Sequence, residues 1–380
     1  MDDLIYRALA RHLDDMPGGF PPASSGVELR ILRRLFDPEE AALAVHLTLL
    51  AEPPRVIARR AGLDVGEVSS RLEAMARKGL IYQSGSGPGD RCKYMALQFV
   101  IGIWEFQVNR LNPELIRDVN EYMEEFLEAG GWKSLPQLRT IPVGRSLHGG
   151  ARALPYERAE ELIRGVKRGL VAPCICRRER AIMGEGCGRL GEACLVFGGA
   201  VDIYRRNGVG RMIGRDEALD ILKEAERQGL VLQPMNSRDA VNICCCCGCC
   251  CGVLRNLKKQ PRPADFFSSA FRVAADPSRC RGCGLCLDRC QMEALALVEG
   301  RVVLDRDRCL GCGLCAVSCP AGALRLVRKP ENEQKKVPWR SEAMFLQLAR
   351  KRGRMDLVKA AGILAGSARD RLLTWKRKSG

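Results

Sequence analysis

The chain has 380 residues, 46% of them hydrophobic and 28% charged, with 20 cysteines and a formal net charge of +16. That length allows two or three domains. The start, Met1-Asp-Asp-Leu-Ile-Tyr-Arg, is acidic where an export signal is basic and has no apolar core behind it, so the expectation is a cytoplasmic protein whose thiols hold metal rather than form disulfides. The longest apolar stretch, near Met95 to Phe106, is broken by Gln98, Gly102 and Glu105. It falls short of the roughly 20 residues a spanning helix needs, so no transmembrane segment is expected. The charge is uneven. Residues 1–100 carry 13 Lys/Arg against 13 Asp/Glu, whereas the last fifty carry 13 against 5, a net of +8.

Gly18, Gly19, Pro21 and Pro22 break the chain after a first helix and leave residues 1–36 as an N-terminal helical segment. In residues 37–100, Pro38 and Glu39 open a helix expected to run to about Leu50. Pro53 and Pro54 precede a short second helix, Arg55-Val-Ile-Ala-Arg-Arg-Ala, closed by Gly62. A third helix follows, with Asp64 at its N-cap, Glu67 at its third position and Val68, Leu72 and Met75 at helical spacing. Gly85-Ser-Gly-Pro-Gly-Asp would tip a hairpin between Leu80 and Leu97.

This pattern resembles the winged helix-turn-helix domains of many bacterial regulators, which implies DNA reading by the third helix. A DNA reader brings a basic face to the phosphates. Here Glu67, Arg71, Glu73, Arg77 and Lys78 nearly balance, and the wing adds only Arg91 and Lys93. Docking or dimerisation, with a homo-oligomer formed through this domain, is therefore favoured over DNA as its partner.

Residues 101–150 read as a helical connector ending near Pro136, Pro142, Gly149 and Gly150. Residues 151–275 form a Cys-rich domain with two groups of thiols. The first is Cys174, Cys176, Cys187 and Cys194; the second runs Cys244, Cys245, Cys246, Cys247, Gly248, Cys249, Cys250 and Cys251. A helix is expected between them from Asp216 to Gln228, stopped by Gly229. Gly208-Val-Gly-Arg-Met-Ile-Gly reads as a loop, because no strand–helix unit with a downstream acid supports a dinucleotide turn. Successive strand residues point to opposite faces, and helical ones diverge by about 100°. The near-contiguous cysteines therefore cannot all ligate one ion from a regular element, and an irregular loop turning at Gly248 and Gly252 is expected to present three or four of them. The candidate ligands of a further iron–sulfur cluster, or alternatively of zinc, are Cys174, Cys176, Cys187, Cys194, Cys244, Cys246, Cys247, Cys249 and Cys250. Arg177, Arg178 and Arg180 would offset thiolate charge.

Two runs in residues 276–330 carry the clearest chemistry. Cys280, Cys283, Cys286 and Cys290, then Cys309, Cys312, Cys315 and Cys319, each follow Cys-x2-Cys-x2-Cys-x3-Cys, the spacing of a four-iron site whose fourth cysteine ligates the other cluster. One [4Fe-4S] cluster would then take Cys280, Cys283, Cys286 and Cys319; the other would take Cys309, Cys312, Cys315 and Cys290. Gly282, Gly284, Gly311 and Gly313 would let the backbone curl around them. The segment from about Asp276 to Val327 resembles the two-[4Fe-4S] bacterial ferredoxins, with Gln291 where that family usually has proline. From Leu154 to Val327 the pattern also resembles the Cys-rich segment and ferredoxin domain of uncharacterised 4Fe-4S dicluster proteins of anaerobes, a resemblance that implies metal but no defined reaction.

Residues 331–380 read as a basic helical tail broken near Gly353, with Leu357, Leu364, Leu372 and Trp375 as a partial apolar stripe packing on the protein itself. The expected fold class is α+β and multidomain: winged helix, Cys-rich domain, ferredoxin-like two-cluster domain and helical tail. The expected function is one-electron transfer between redox partner proteins, as a carrier or as the electron-transfer subunit of an oxidoreductase. A redox-responsive winged-helix regulator, and a reductase with an active-site cluster in the central domain, remain as alternatives.

Overall fold

The computed structural model of the chain describes residues 2–85, 91–129 and 131–376. Helices and strands are mixed throughout, and they divide into two units. One comprises Met1–Gly131, Asp202–Val209 and Phe345–Gly380, the other Trp132–Val201 and Gly210–Met344.

The first unit begins with helices α1 (Asp2–Asp14), α2 (Val27–Leu35), α3 (Pro38–Ala44), α4 (Pro54–Ala61) and α5 (Val65–Arg77). Their ends have local causes. Asp37 and Glu40 form a capping box at α3. The Asp64 carboxylate accepts from the Gly66 and Glu67 N–H groups at α5, and left-handed Gly62 stops α4. Helix α3 ends at Ala44, short of Leu50, because the His46 and Leu47 N–H groups return to Leu43 and Ala44 and tighten the chain out of α geometry. Strands β1 (Ile81–Ser84) and β2 (Lys93–Ala96) pair antiparallel; the expected turn at residues 86–90 lies outside the described residues. Helix α6 (Pro113–Ala129) packs Tyr122 and Phe126 against Phe20 and Phe99 in the core.

The last helix, Leu357–Lys376, lies against α4. Its packed side is not the expected leucine stripe: Leu364 and Leu372 are 59% and 61% exposed, while Ser367 and Asp370 are buried. The side chains of Leu357 and Trp375 lie outside those described. An ion network holds this helix instead. Arg60 donates to both carboxylate oxygens of fully buried Glu52, at 2.9 and 3.0 Å, and to Asp370 at 3.3 Å. Among the described residues, no helix is long and apolar enough to cross a membrane.

In the second unit, α7 (Ala159–Arg164) precedes an antiparallel five-stranded sheet. Its strands are β3 (Gly169–Pro173), β4 (Glu192–Phe197), β5 (Arg211–Ile213), β6 (Val231–Pro234) and β7 (Asn242–Cys246), in the order β5-β3-β4-β7-β6. Helix α8 (Ile175–Ile182) follows β3 and α10 (Arg215–Arg227) follows β5, while α9 (Ala200–Arg206), after β4, belongs from Asp202 onward to the first unit. The stretch expected to be a loop contains β5, whose Arg211, Met212 and Ile213 pair with Val171, Leu170 and Gly169. Gly210 has φ +84°, and a Cβ there would meet the Val171 carbonyl. That glycine serves close strand approach rather than a nucleotide. The connector also joins the sheet, with Leu138 and Ile141 bridging to Met235 and Leu232 at the β6 edge.

After α11 (Gly252–Leu257), β8 (Phe271–Ala275) pairs with β11 (Leu324–Arg328), and β9 (Leu295–Val298) with β10 (Arg301–Leu304). Two short helices, α12 (Leu285–Arg289) and α13 (Leu314–Ser318), complete two similar halves. Their shared core combines Phe271, Val273, Leu295, Val302, Leu324 and Leu326 with Cys286, Cys309 and Cys315.

Replacing Glu52 by Gln leaves the Arg60 guanidinium facing a neutral partner. The variant should lose about 3 kcal/mol of stability near neutral pH, within the range for breaking a buried pair. Burial pushes the Glu52 carboxyl up, but the hydrogen bonds and charge of Arg60 and the hydrogen bond from Thr48, among others, together hold it below its usual range. A depressed carboxyl stabilises above its unfolded pKa, so this contribution is lost as pH falls through the folded value. Urea unfolding midpoints of wild type and E52Q should therefore converge on acidification; equal midpoints at pH 7 would contradict the assignment.

Candidate metal centres

Each ferredoxin-like run folds around a glycine in left-handed geometry, Gly282 at φ +69° and Gly311 at φ +70°. A Cβ at Gly311 would strike the Phe271 carbonyl, so the close turn requires glycine. Left-handed Gly284 and Gly313 then start α12 and α13, which carry Cys286 and Cys315 into the core.

Thiols from the two runs are brought together crosswise. Cys280, Cys283, Cys286 and Cys319 line one small cavity with Leu297, Val302 and Leu324. Cys290 lies within electrostatic range of Cys309, Cys312 of Cys290 and Cys309, and Cys315 of all three and of Cys286. Backbone N–H groups of Gly282, Ala294 and Ala323 donate to the sulfurs of Cys280, Cys290 and Cys319 at 3.4, 3.2 and 3.3 Å. Burial pushes the Cys312 thiol up to about 12 and raises Cys286, Cys290 and Cys315 as well. Thiolates at these positions need a cation, and metal binding would release protons. This donor set, with four sulfurs per group and amides aimed at them, fits iron–sulfur clusters.

The cysteines between residues 174 and 251 are sorted differently from the expected single loop. Strand β7 continues through Cys246, so alternation puts Cys244 and Cys246 on one face and Cys245 on the other. Only residues 247–251 leave the strand, and the candidates therefore divide into two groups. In the first, Cys187 from the loop after α8 joins Cys247, Cys249 and Cys250, with all four sulfurs within 4.8 Å of one another. Cys187 and Cys247 are 4.0 Å apart, Cys249 and Cys250 3.8 Å. Arg189 donates to Cys249 at 3.2 Å. Burial pushes Cys187 up, but the Arg189 N–H and the neighbouring thiols hold it down at about 6. The same burial pushes Cys247 up to about 11.

The second group contains Cys174, Cys176, Cys194, Cys244 and Cys246, together with Cys251, which was not among the expected ligands. Cys251 sits at the N-cap of α11, where no periodicity marks it. Cys245, which faces away, is pushed up to about 12 by burial. Arg177, on α8, is 6% exposed and donates to the Leu190 and Cys245 carbonyls at 2.8 and 2.7 Å. Burial works against its charge, yet Cys174, Cys247 and Cys246 together raise its pKa, so this one guanidinium lies within reach of both groups.

The loop between Cys247 and Cys249 is bound to the ferredoxin-like segment. The Gly248 N–H donates to Gln291 Oε1 at 2.8 Å, and a Cβ on Gly248 would run into the Gln291 carbonyl. Arg289 donates to the Arg227 and Glu226 carbonyls, both at 2.6 Å, while Arg308 donates to those of Met292 and Lys258, both at 3.0 Å. At Gln291, where the resembling ferredoxins usually have proline, this chain has an amide that grips its neighbour.

A family model described as a 4Fe-4S dicluster domain matches residues 279–323, which supports a ferredoxin-like iron–sulfur domain there. No curated protein and no solved structure matches the chain.

Substituting Gly248 with Ala forces the loop away from Gln291. It should destabilise the folded protein by about 1–3 kcal/mol, the usual cost of overpacking. Gln291→Ala, which removes only the side-chain acceptor, should cost about 1 kcal/mol. Denaturant midpoints check both, and a wild-type midpoint for G248A would refute the close contact.

Proposed function

We propose that this chain is an iron–sulfur electron-transfer protein with two four-iron clusters in residues 276–330 and a single metal ion held by Cys187, Cys247, Cys249 and Cys250. The observation that carries the reading is the crosswise meeting of the two Cys-x2-Cys-x2-Cys-x3-Cys runs within the segment that matches the dicluster family. On this reading Cys280, Cys283, Cys286 and Cys319 ligate one cluster, and Cys309, Cys312, Cys315 and Cys290 the other. Bound there, such clusters take up and release single electrons.

The chain's own groups set the conditions for that transfer. The N–H donors to Cys280, Cys290 and Cys319 stabilise negative charge on sulfur and favour the reduced state. Leu297, Val302, Leu324 and Leu326 keep water from the sulfurs. Cys283 is exposed and the adjacent Leu285 is 49% exposed, whereas Cys309 and Cys315 are buried. Redox partners would accordingly meet the Cys283 side, with the Cys309 group lying deeper.

The Cys187 group is spaced for one ion rather than a cluster. Four sulfurs about 2.3 Å from a tetrahedral zinc lie about 3.8 Å from one another, close to the 3.8 and 4.0 Å separations found. A cubane spreads its thiolates farther, since each binds a different iron. Zinc or a single iron there would clamp the loop that Gln291 grips.

In anaerobically purified full-length protein, Cys280→Ser and Cys319→Ser should diminish the same electron paramagnetic resonance signal. Cys309→Ser and Cys290→Ser should diminish the other, each variant losing up to about 4 iron per chain. If Cys319→Ser instead matched Cys309→Ser, the crosswise ligation would be wrong.

A further inference from the structure

The six thiols of the second group lie outside both the ferredoxin-like runs and the Cys187 group. They form a connected string. Cys194 and Cys244 are direct cross-strand partners on β4 and β7, and Cys246 follows on the same face of β7. Electrostatic coupling between thiols continues from Cys244 to Cys246, from Cys246 to Cys251, from Cys251 to Cys176 and from Cys176 to Cys174. The string thus joins two strands, α8 and the start of α11. The Gly252 N–H donates to Cys176 Sγ at 3.4 Å, and Asn242 Nδ2 approaches Cys244 Sγ at 3.7 Å.

A second observation also points to a ligand. Gln233 stands directly opposite Cys244 in the β6–β7 register, so both side chains project from the same face of the sheet. It is 0% exposed, and both of its amide atoms lack a hydrogen-bond partner among the described residues. The buried Asn242 Oδ1 and Arg177 Nε lack partners too. Leaving such groups unmade is costly, and amide N–H and guanidinium groups beside thiolates are the donors that sulfide-rich clusters accept.

We infer that Cys174, Cys176, Cys194, Cys244, Cys246 and Cys251 bind a polynuclear iron–sulfur cluster distinct from the two ferredoxin clusters, with Gln233 donating to its sulfur atoms. One tetrahedral ion takes four ligands, whereas this string is longer than one ion's shell. Among the described residues, only the Cys187 group draws its sulfurs within 4.8 Å of one another. The Cys-rich domain therefore holds two kinds of centre side by side, a single ion and a cluster, with Arg177 serving both. This goes beyond the ferredoxin reading, and its failure can be told from a failure there.

The test uses full-length protein, purified and kept anaerobic. Native mass spectrometry of the unmutated chain should show iron and sulfide beyond two four-iron clusters and one ion. A mass fully explained by those three overturns the inference, whether or not any variant folds. Cys244→Ser combined with Cys251→Ser should remove about four iron and about four sulfide. The ferredoxin resonances and the single ion should remain. Cys245→Ser, on the opposite face, should remove none. Loss of one metal without sulfide, or no loss at all, would overturn the inference. Absence of the ferredoxin resonances from the unmutated protein would instead count against the proposed function. Gln233→Leu should shift the reduction potential of the additional signal while leaving its iron count unchanged; an unmoved potential refutes the role given to Gln233.

Discussion

A thiolate inside a protein is stable only where a cation or hydrogen-bond donors face it, and the buried cysteines of the second unit stand under that constraint. Burial first, and neighbouring thiols after it, push Cys312 and Cys245 up to about 12, and Cys286, Cys309 and Cys315 stand in the core beside Phe271 and Val302. The core of the ferredoxin-like part consequently includes thiols from both cysteine runs. With metal bound at these cysteines, folding and metal loading of this part would be linked equilibria, the cation supplying what an apolar interior withholds. Elsewhere in the unit Arg177 provides a fixed positive charge, anchored by the Leu190 and Cys245 carbonyls.

Local backbone geometry decides which thiols act together. Left-handed glycines turn each ferredoxin-like run, and pairing of the two halves brings Cys319 to the cavity lined by the first run and Cys290 within electrostatic range of the second. In the Cys-rich domain the same residue type is sorted by strand alternation. Cys244 and Cys246 face one way, Cys245 the other, and the chain leaves the strand at Cys247 to meet Cys187. The Gln291 amide then ties that loop to the residue following Cys290. Four sets of thiols can thus share one unit without any cysteine belonging to two of them.

Much of this was legible where a residue acts through its own backbone. The stop at Gly62, the cap at Asp64 and the turns at Gly282 and Gly311 follow from conformations that those residues favour locally. What depends on distant pairing was not legible. The short strand Arg211–Ile213 looks like a loop because its order comes from Leu170 and Val171 across the sheet. Cys251 carries no signal of its own, since its group is assembled by α8, β4 and β7 around it. The tail helix presents a leucine stripe, yet the buried Glu52–Arg60–Asp370 network turns Ser367 and Asp370 inward. A charge with a partner far along the chain leaves no periodic trace. The crosswise grouping of the ferredoxin-like thiols can be stated from spacing, because the fourth cysteine lies too far along its own run to close one cup.

The most direct test of the electron-transfer reading is a stepwise reductive titration of anaerobic full-length protein, followed by electron paramagnetic resonance. Two adjoining clusters in the ferredoxin-like segment predict uptake of about two electrons there. They also predict a spectrum that changes from a simple signal to a spin-coupled one as the second cluster is reduced. Uptake of a single electron with one uncoupled signal, or zinc and no reducible iron at these cysteines, would contradict it.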